Sequence, residues 1–147
     1  MIVAPGITKP GQRCQTPVSL LDIYPTLVEL CGLARLSELE GISLVPQLKD
    51  ATTPRVEPAV MTFGPNNHAV RDVRWRYIRY ADGSEELYDH TTDPREWTNL
   101  AAAPAHAAEK QRLTQWLPKV NQPLHTKTKW LPASAVTPVA SEVKVKP

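Results

Sequence analysis

The chemically richest stretch is 66–80, with Asn66, Asn67, His68, Arg71, Asp72, Arg74, Trp75, Arg76, Tyr77, Arg79 and Tyr80. Four arginines interleave with three aromatics. Guanidinium forks recognise sulfate, phosphate or carboxylate through two parallel bonds, and aromatic faces stack on sugar rings. The same alternation also describes a half-buried strand with arginines on the wet face and aromatics on the packed one, and this plainer reading is preferred. Within the stretch, His68 and Arg71 are the candidate ligand contacts, and His68 sits where a loop enters a strand, beside Asn66 and Asn67. A second cluster, Asp89, His90 and Asp93, has residue types that ligate metals. The run Asp89-His90-Thr91-Thr92-Asp93-Pro94 also reads as a tight turn whose aspartates bond nearby backbone amides, and the turn is preferred. Asp22 stands at a helix start, where a carboxylate caps free N–H groups. There is no Gly-rich phosphate loop, no G-x-S-x-G elbow and no H-E-x-x-H. Read as chemistry alone, the residues assemble no nucleophile with its base and oxyanion site.

The elements that position these groups can be placed from periodicity. Met1–Ala4 is a short apolar run ending at Pro5-Gly6, the pattern of a strand covered on both faces. Leu20, Ile23, Tyr24, Leu27, Val28, Leu30 and Cys31 recur at three- and four-residue spacing. They predict an entry turn at 19–22 and a helix over 23–31 with these side chains buried, closed by Gly32. Pro25 fits only its first turn. A helical turn is expected within 41–48. From residue 57 the period falls to two: "PAVMTF" reads as a strand, "HAVRDVRWRYIRY" as two more, and Asp82-Gly83 as a hairpin turn before a strand at Glu86-Leu87-Tyr88. Residues 104–117 form an amphipathic helix that would bury Ala107, Leu113, Trp116 and Leu117. The fold class is α+β, with a three- to four-stranded antiparallel sheet carrying a C-terminal helix.

Composition narrows the function. The chain has 147 residues, room for one ordinary domain. Its net charge of +2 is no footprint of a nucleic-acid binder. No apolar run approaches ~18 residues, so no membrane span is expected. Cys14 and Cys31 do not make a disulfide framework or a zinc site, and Cys31 is expected to pack as a small hydrophobe. Fifteen prolines point to short elements joined by rigid turns. Residues 118–147 hold five lysines against Glu142 and read as a disordered tail.

Three segments together resemble the C-terminal third of type I sulfatases, in the alkaline phosphatase superfamily. "MIVAPGITKPGQ" is similar to the last strand of the large sulfatase domain and its following loop. "TPVSLLDIYPTLVELCGL" with "LEGISLVPQL" resembles the family's DxxPTLxxLxG helix and GxSLxPxL continuation. "HAVRDVRWRYIRYADGSEELYDHTTDPREWTNLA" is similar to its C-terminal AVRxxxYKYI…ELYDLxxDPxExxNLA hairpins, in a version resembling bacterial enzymes of the iduronate-2-sulfatase type.

The resemblance implies a strand and helix from the end of a sulfatase α/β domain over 1–50, an antiparallel-sheet subdomain over 51–117 and the tail over 118–147. The family nucleophile is a formylglycine made in a C/S-x-P-x-R motif, which Cys14-Gln15-Thr16-Pro17-Val18 does not match. By the resemblance the nucleophile, the metal carboxylates and the catalytic histidine and lysine all lie upstream of Met1, as would any export signal. The chain alone is expected to be inactive. A full-length parent would use calcium and act on a sulfated carbohydrate, with Asn67, His68 and Arg71 at the pocket rim. The expected partner is the N-terminal sulfatase domain, with no nucleic acid and no membrane. Two alternatives remain: a stand-alone module holding anionic glycans, and a fragment of a phosphodiesterase or phosphonate hydrolase of the same superfamily.

Overall fold

The computed structural model describes residues 1–122. Its centre is a four-stranded antiparallel sheet in sequence order, with β1 at Ala59–Thr62, β2 at His68–Arg71, β3 at Trp75–Arg79 and β4 at Glu85–Asp89. The register pairs Val60 with Val70, Val70 with Tyr77 and Tyr77 with Leu87. Strand alternation therefore puts these four on one face. Helix α3, Ala107–Thr114, covers that face, and Leu113 and Leu117 close a core with Val70, Trp75, Tyr77 and Leu87. The β3–β4 hairpin turns at Asp82-Gly83, where Gly83 takes φ +85°, a backbone conformation a side chain would strain. The small sheet, the turn and the helix agree with the sequence reading. Within the helix pattern, however, Ala107 lies exposed, so the buried stripe begins only at Leu113.

Residues 19–32 form the expected turn and helix, but most of the expected apolar face points outward. A 3-10 turn at Leu20–Asp22 leads into α1, Ile23–Leu30, which ends at Gly32 with the Leu33 amide reaching the Val28 carbonyl and the Gly32 amide reaching that of Glu29. Of the side chains expected inside, Val28 is buried, but Leu20, Ile23, Tyr24 and Leu27 are 85, 44, 53 and 52% exposed, and Cys31 is exposed as well. What α1 buries is Asp22, Pro25, Thr26 and Val28. Asp22 and Thr26 lie four residues apart and hold the loop before α2, Val45–Lys49, by its backbone. The Ile42 amide donates to Asp22 Oδ1 at 2.9 Å and the Leu44 amide to Thr26 Oγ1 at 2.8 Å. Buried backbone N–H groups need acceptors, so the polar flank of α1 is taken up by this loop, and its apolar flank is left without cover among the described residues.

The expected strand at 1–4 is not present. Met1, Ile2 and Val3 are exposed and pair with no strand among the described residues. A strand needs a neighbour for its N–H and C=O groups, and the only sheet described is complete without it. Gly41 explains how closely the loop approaches α1: a Cβ there would lie 2.0 Å from the Leu21 carbonyl oxygen. Gly41→Ala is expected to cost roughly 1–3 kcal/mol through this overlap, read as a lowered midpoint in thermal denaturation. Of the expected tail over 118–147, residues 118–122 are described, and Asn121 among them is bonded to Asn66 and His68. The remainder, from 123 on, lies outside the described residues.

Candidate functional site

The three candidate residues do not converge. By alternation His68 shares the Val70 face, whereas Arg71 lies on the opposite one. His68 is only 2% exposed and both ring nitrogens are occupied. The Thr62 hydroxyl donates to Nδ1 at 2.9 Å, and Nε2–H donates to Asn121 Oδ1 at 2.7 Å. Asn67 accepts from the Ala81 amide and donates to the Pro65 carbonyl. Asn67 and His68 line a groove of about 310 Å³ with Met61, Ala69, Ile78 and Tyr80, and Arg76 stands at its side. Arg71 is absent from that lining.

Arg71 instead joins a polar cluster on the sheet face away from α3. The register sets Arg71 opposite Arg76 and Arg76 opposite Tyr88. The loop after β4 then folds back so that Glu96 reaches three groups. Its Oε2 accepts from Arg76 Nη1 at 2.7 Å, its Oε1 lies 2.6 Å from His90 Nε2, and Arg71 Nη1 is 3.6 Å away. His90 Nε2 also touches Arg71 Nη1. Glu96 holds φ +59°, a left-handed conformation that costs a non-glycine residue about 1 kcal/mol or more. The fold sustains it because it turns the carboxylate onto two arginines. Burial raises the Glu96 pKa, but the bonds from Arg76 and His90 more than reverse this, so its carboxyl stays below the usual range. Arg76 Nε is buried with no partner. Two arginines, a histidine and one carboxylate form a half-buried, net positive patch suited to an anion.

Sequence reading named Arg71 and Arg76 in one stretch but did not join them to His90 and Glu96. The available signal was the two-residue strand period, which puts 71 and 76 on one face once the β2–β3 turn is placed. Nothing local reported the return of Glu96. The Asp89–Asp93 run forms a turn, as its sequence predicts: Asp89 Oδ1 accepts the Thr91 amide at 3.0 Å and Asp93 Oδ2 the Thr98 amide at 2.8 Å. Arg74 chelates Asp89 and stacks on Trp75, 4.8 Å from the ring centre. Those bonds pull the Asp89 carboxyl down to about 2. Asp22 does not cap α1; its side chain closes the entry turn and ties distant segments to it. Its carboxylate takes the Ser19 amide at 2.7 Å, the Ile42 amide, and both arms of the Arg55 guanidinium at 2.6 and 3.1 Å. None of its bonds goes to an α1 amide.

This sheet-and-helix architecture is that of the C-terminal part of sulfatase-fold hydrolases. The solved structure of a 2-O GAG sulfatase aligns with a TM-score of 0.54 at 33% identity, over 64% of this chain and 23% of that one. The phosphonate monoester hydrolase of Agrobacterium radiobacter aligns with a TM-score of 0.51 at 29% identity over the same shares. The chain belongs to the family described as N-sulphoglucosamine sulphohydrolase, C-terminal, whose model matches residues 1–123. A sulfatase of Formosa agariphila is 41% identical over 117 residues, which are 80% of this chain and 23% of that protein. The chain thus spans about a quarter of the length of the relatives it matches.

Proposed function

We propose that the chain is the C-terminal part of a sulfuric ester hydrolase and works only when docked on the α/β part that carries the nucleophile. The observation that carries this reading is the family match over residues 1–123, in proteins about four times as long. The bare apolar flank of α1 supports it: Leu20, Leu21, Ile23, Tyr24 and Leu27 expose more apolar surface than a free-standing domain needs to. On this reading the upstream domain covers that flank and supplies a neighbour for Met1–Ala4.

The substrate is read as a 2-O-sulfated sugar of the iduronate type, supported by the likeness to the 2-O GAG sulfatase. Calcium, where the parent uses it, belongs to the upstream part. Among the described residues no group of three His, Cys, Asp or Glu side chains is placed to hold a metal, and Asp22, Asp89 and Glu96 are committed to arginines. This chain's contribution is Arg71 and its neighbours, offering positive charge to a sulfate or carboxylate at the domain boundary.

The 147-residue chain is expected to hydrolyse no aryl sulfate above background. In a polypeptide joining it to a sulfatase catalytic domain, Arg71→Ala should lower kcat/KM for a 2-O-sulfated uronate disaccharide about tenfold, the worth of one charge-assisted hydrogen bond. Turnover by the isolated chain, abolished by a substitution within it, defeats the proposal. An unchanged kcat/KM removes Arg71 from the substrate. The likeness to the phosphonate monoester hydrolase favours a second reading, in which the ester is a phosphonate. Parallel assays with a phosphonate monoester and a sulfate ester separate the two.

A further inference from the structure

One ring nitrogen in the cluster has two partners with opposite demands. His90 Nε2 touches Arg71 Nη1, which can only donate, and lies 2.6 Å from Glu96 Oε1, which can only accept when ionised. A single nitrogen satisfies one of them at a time. With the ring proton on Nδ1, Nε2 accepts from Arg71 and turns its lone pair toward a carboxylate. With a proton on Nε2, the ring donates to Glu96, and Arg71 then faces an N–H.

Both residues are anchored at the backbone: the His90 amide donates to the Arg74 carbonyl at 2.8 Å, and Glu96 takes the left-handed conformation. The His90 and Glu96 side chains are only 15 and 20% exposed, so water compensates little for a lost bond. The charged and titratable groups facing the ring are Arg71 from β2, Arg76 from β3 and Glu96 from the following loop. On its own strand, Tyr88 and Asp89 precede it, and Asp89 is engaged by Arg74.

We propose that His90 is a proton-controlled latch on Arg71. While Nε2 is unprotonated it holds the guanidinium. A proton taken from solvent onto Nε2 hands the ring to Glu96 and releases Arg71 to an anionic ligand, and the charge of the cluster rises by one. Once released, Arg71 keeps, among the described residues, the 3.6 Å approach to Glu96 Oε1, too long for a good hydrogen bond. The role of the released arginine rests on the reading of Arg71 as an anion contact.

The test follows isotope-labelled His90 and Arg71 side chains by NMR in the 147-residue chain. If that chain gives no dispersed spectrum, it is joined behind a sulfatase catalytic domain with only this segment labelled. As the pH is lowered from about 8 to about 5, the Arg71 guanidinium signals should shift along the same curve as the His90 ring carbons. In His90→Gln they should stay still. Inorganic sulfate, followed at Arg71, should bind about tenfold tighter at pH 5 than at pH 8, as expected for releasing one charge-assisted bond, and this gain should vanish in His90→Gln. Arg71 signals indifferent to the His90 titration overturn the latch, as does an equal gain in sulfate affinity in His90→Gln. Coupled shifts with no sulfate binding at either pH uphold the latch and remove Arg71 as the anion contact.

Discussion

Asp22→Ala is expected to destabilise the 147-residue chain by about 3–5 kcal/mol, the range for breaking one side of a buried ion pair, measured as a fall in the free energy of unfolding by urea. Asp22 is 1% exposed and the Arg55 side chain 6%. Removing the carboxylate leaves a buried guanidinium whose Nε already lacks a partner, and it leaves the Ser19 and Ile42 amides without an acceptor. The same carboxylate ties three separated stretches together: the start of α1, the loop at Gly41-Ile42, and the linker at Arg55 that leads into β1. Replacing both partners with leucine should recover much of the loss, because the cost lies in the orphaned charge rather than in the missing bond. A double variant no more stable than Asp22→Ala would show that the backbone bonds dominate instead.

The pair also carries a pH signature. Burial pushes the Asp22 carboxyl up, but the bonds from Arg55 and from the Ile42 and Ser19 amides outweigh it, so the folded value lies below the ordinary one. The resulting stability is fully present above the unfolded value of about 3.9 and is lost as pH falls through the folded one. Asp89, held down to about 2 by Arg74 first of all, contributes with the same sign. Acid unfolding should therefore steepen below about pH 4, and Asp22→Ala should flatten that limb. An acid limb unchanged in the variant would mean that Asp22 does not titrate with folding.

Leu87→Ala is expected to cost about 2–5 kcal/mol, through lost transfer energy and the cavity left behind. Leu87 is fully buried between β3 and α3, and its amide and carbonyl also anchor the loop after β4, through Asn99 Oδ1 at 3.1 Å and the Leu100 amide at 2.8 Å. The informative control is Leu27→Ala. Both leucines belong to clear apolar patterns, yet Leu27 is half exposed, so its truncation should move stability by no more than about 0.5 kcal/mol in this chain. Joined to a sulfatase catalytic domain, the same Leu27→Ala should become costly, because the flank of α1 would then be covered. A cost for Leu27→Ala in the isolated chain equal to that of Leu87→Ala would contradict the bare flank.

These contrasts mark where local pattern stops being informative. The two-residue period, Asp82-Gly83 and Gly32 place the strands, the hairpin and the end of α1 correctly, because each rests on forces within a few residues: pleat alternation, a positive φ that glycine tolerates, a helix needing its last carbonyls satisfied. The family, too, is legible in short motifs spread over most of the chain. The burial of α1 was misread, since a helical stripe reports that some surface must be covered and not whether the cover lies in the same chain. Met1–Ala4 failed for the same reason: apolar residues that suit a strand do not supply its neighbour.

The candidate site divides in the same way. Arg71 and Arg76 could be put on one face from sequence, since the strand period is local. His68 is held inside by Thr62 and Asn121, and Asn121 lies 53 residues away. Glu96 and His90 join Arg71 only because a loop turns back over the sheet in a conformation no neighbouring residue announces. Sequence alone thus settled the family and, apart from Met1–Ala4, the elements, whose causes are short-range. The face each element buries, and the cluster of Arg71, Arg76, His90 and Glu96, were settled only in three dimensions. There, desolvation and charge pairing act between residues that the chain order keeps apart.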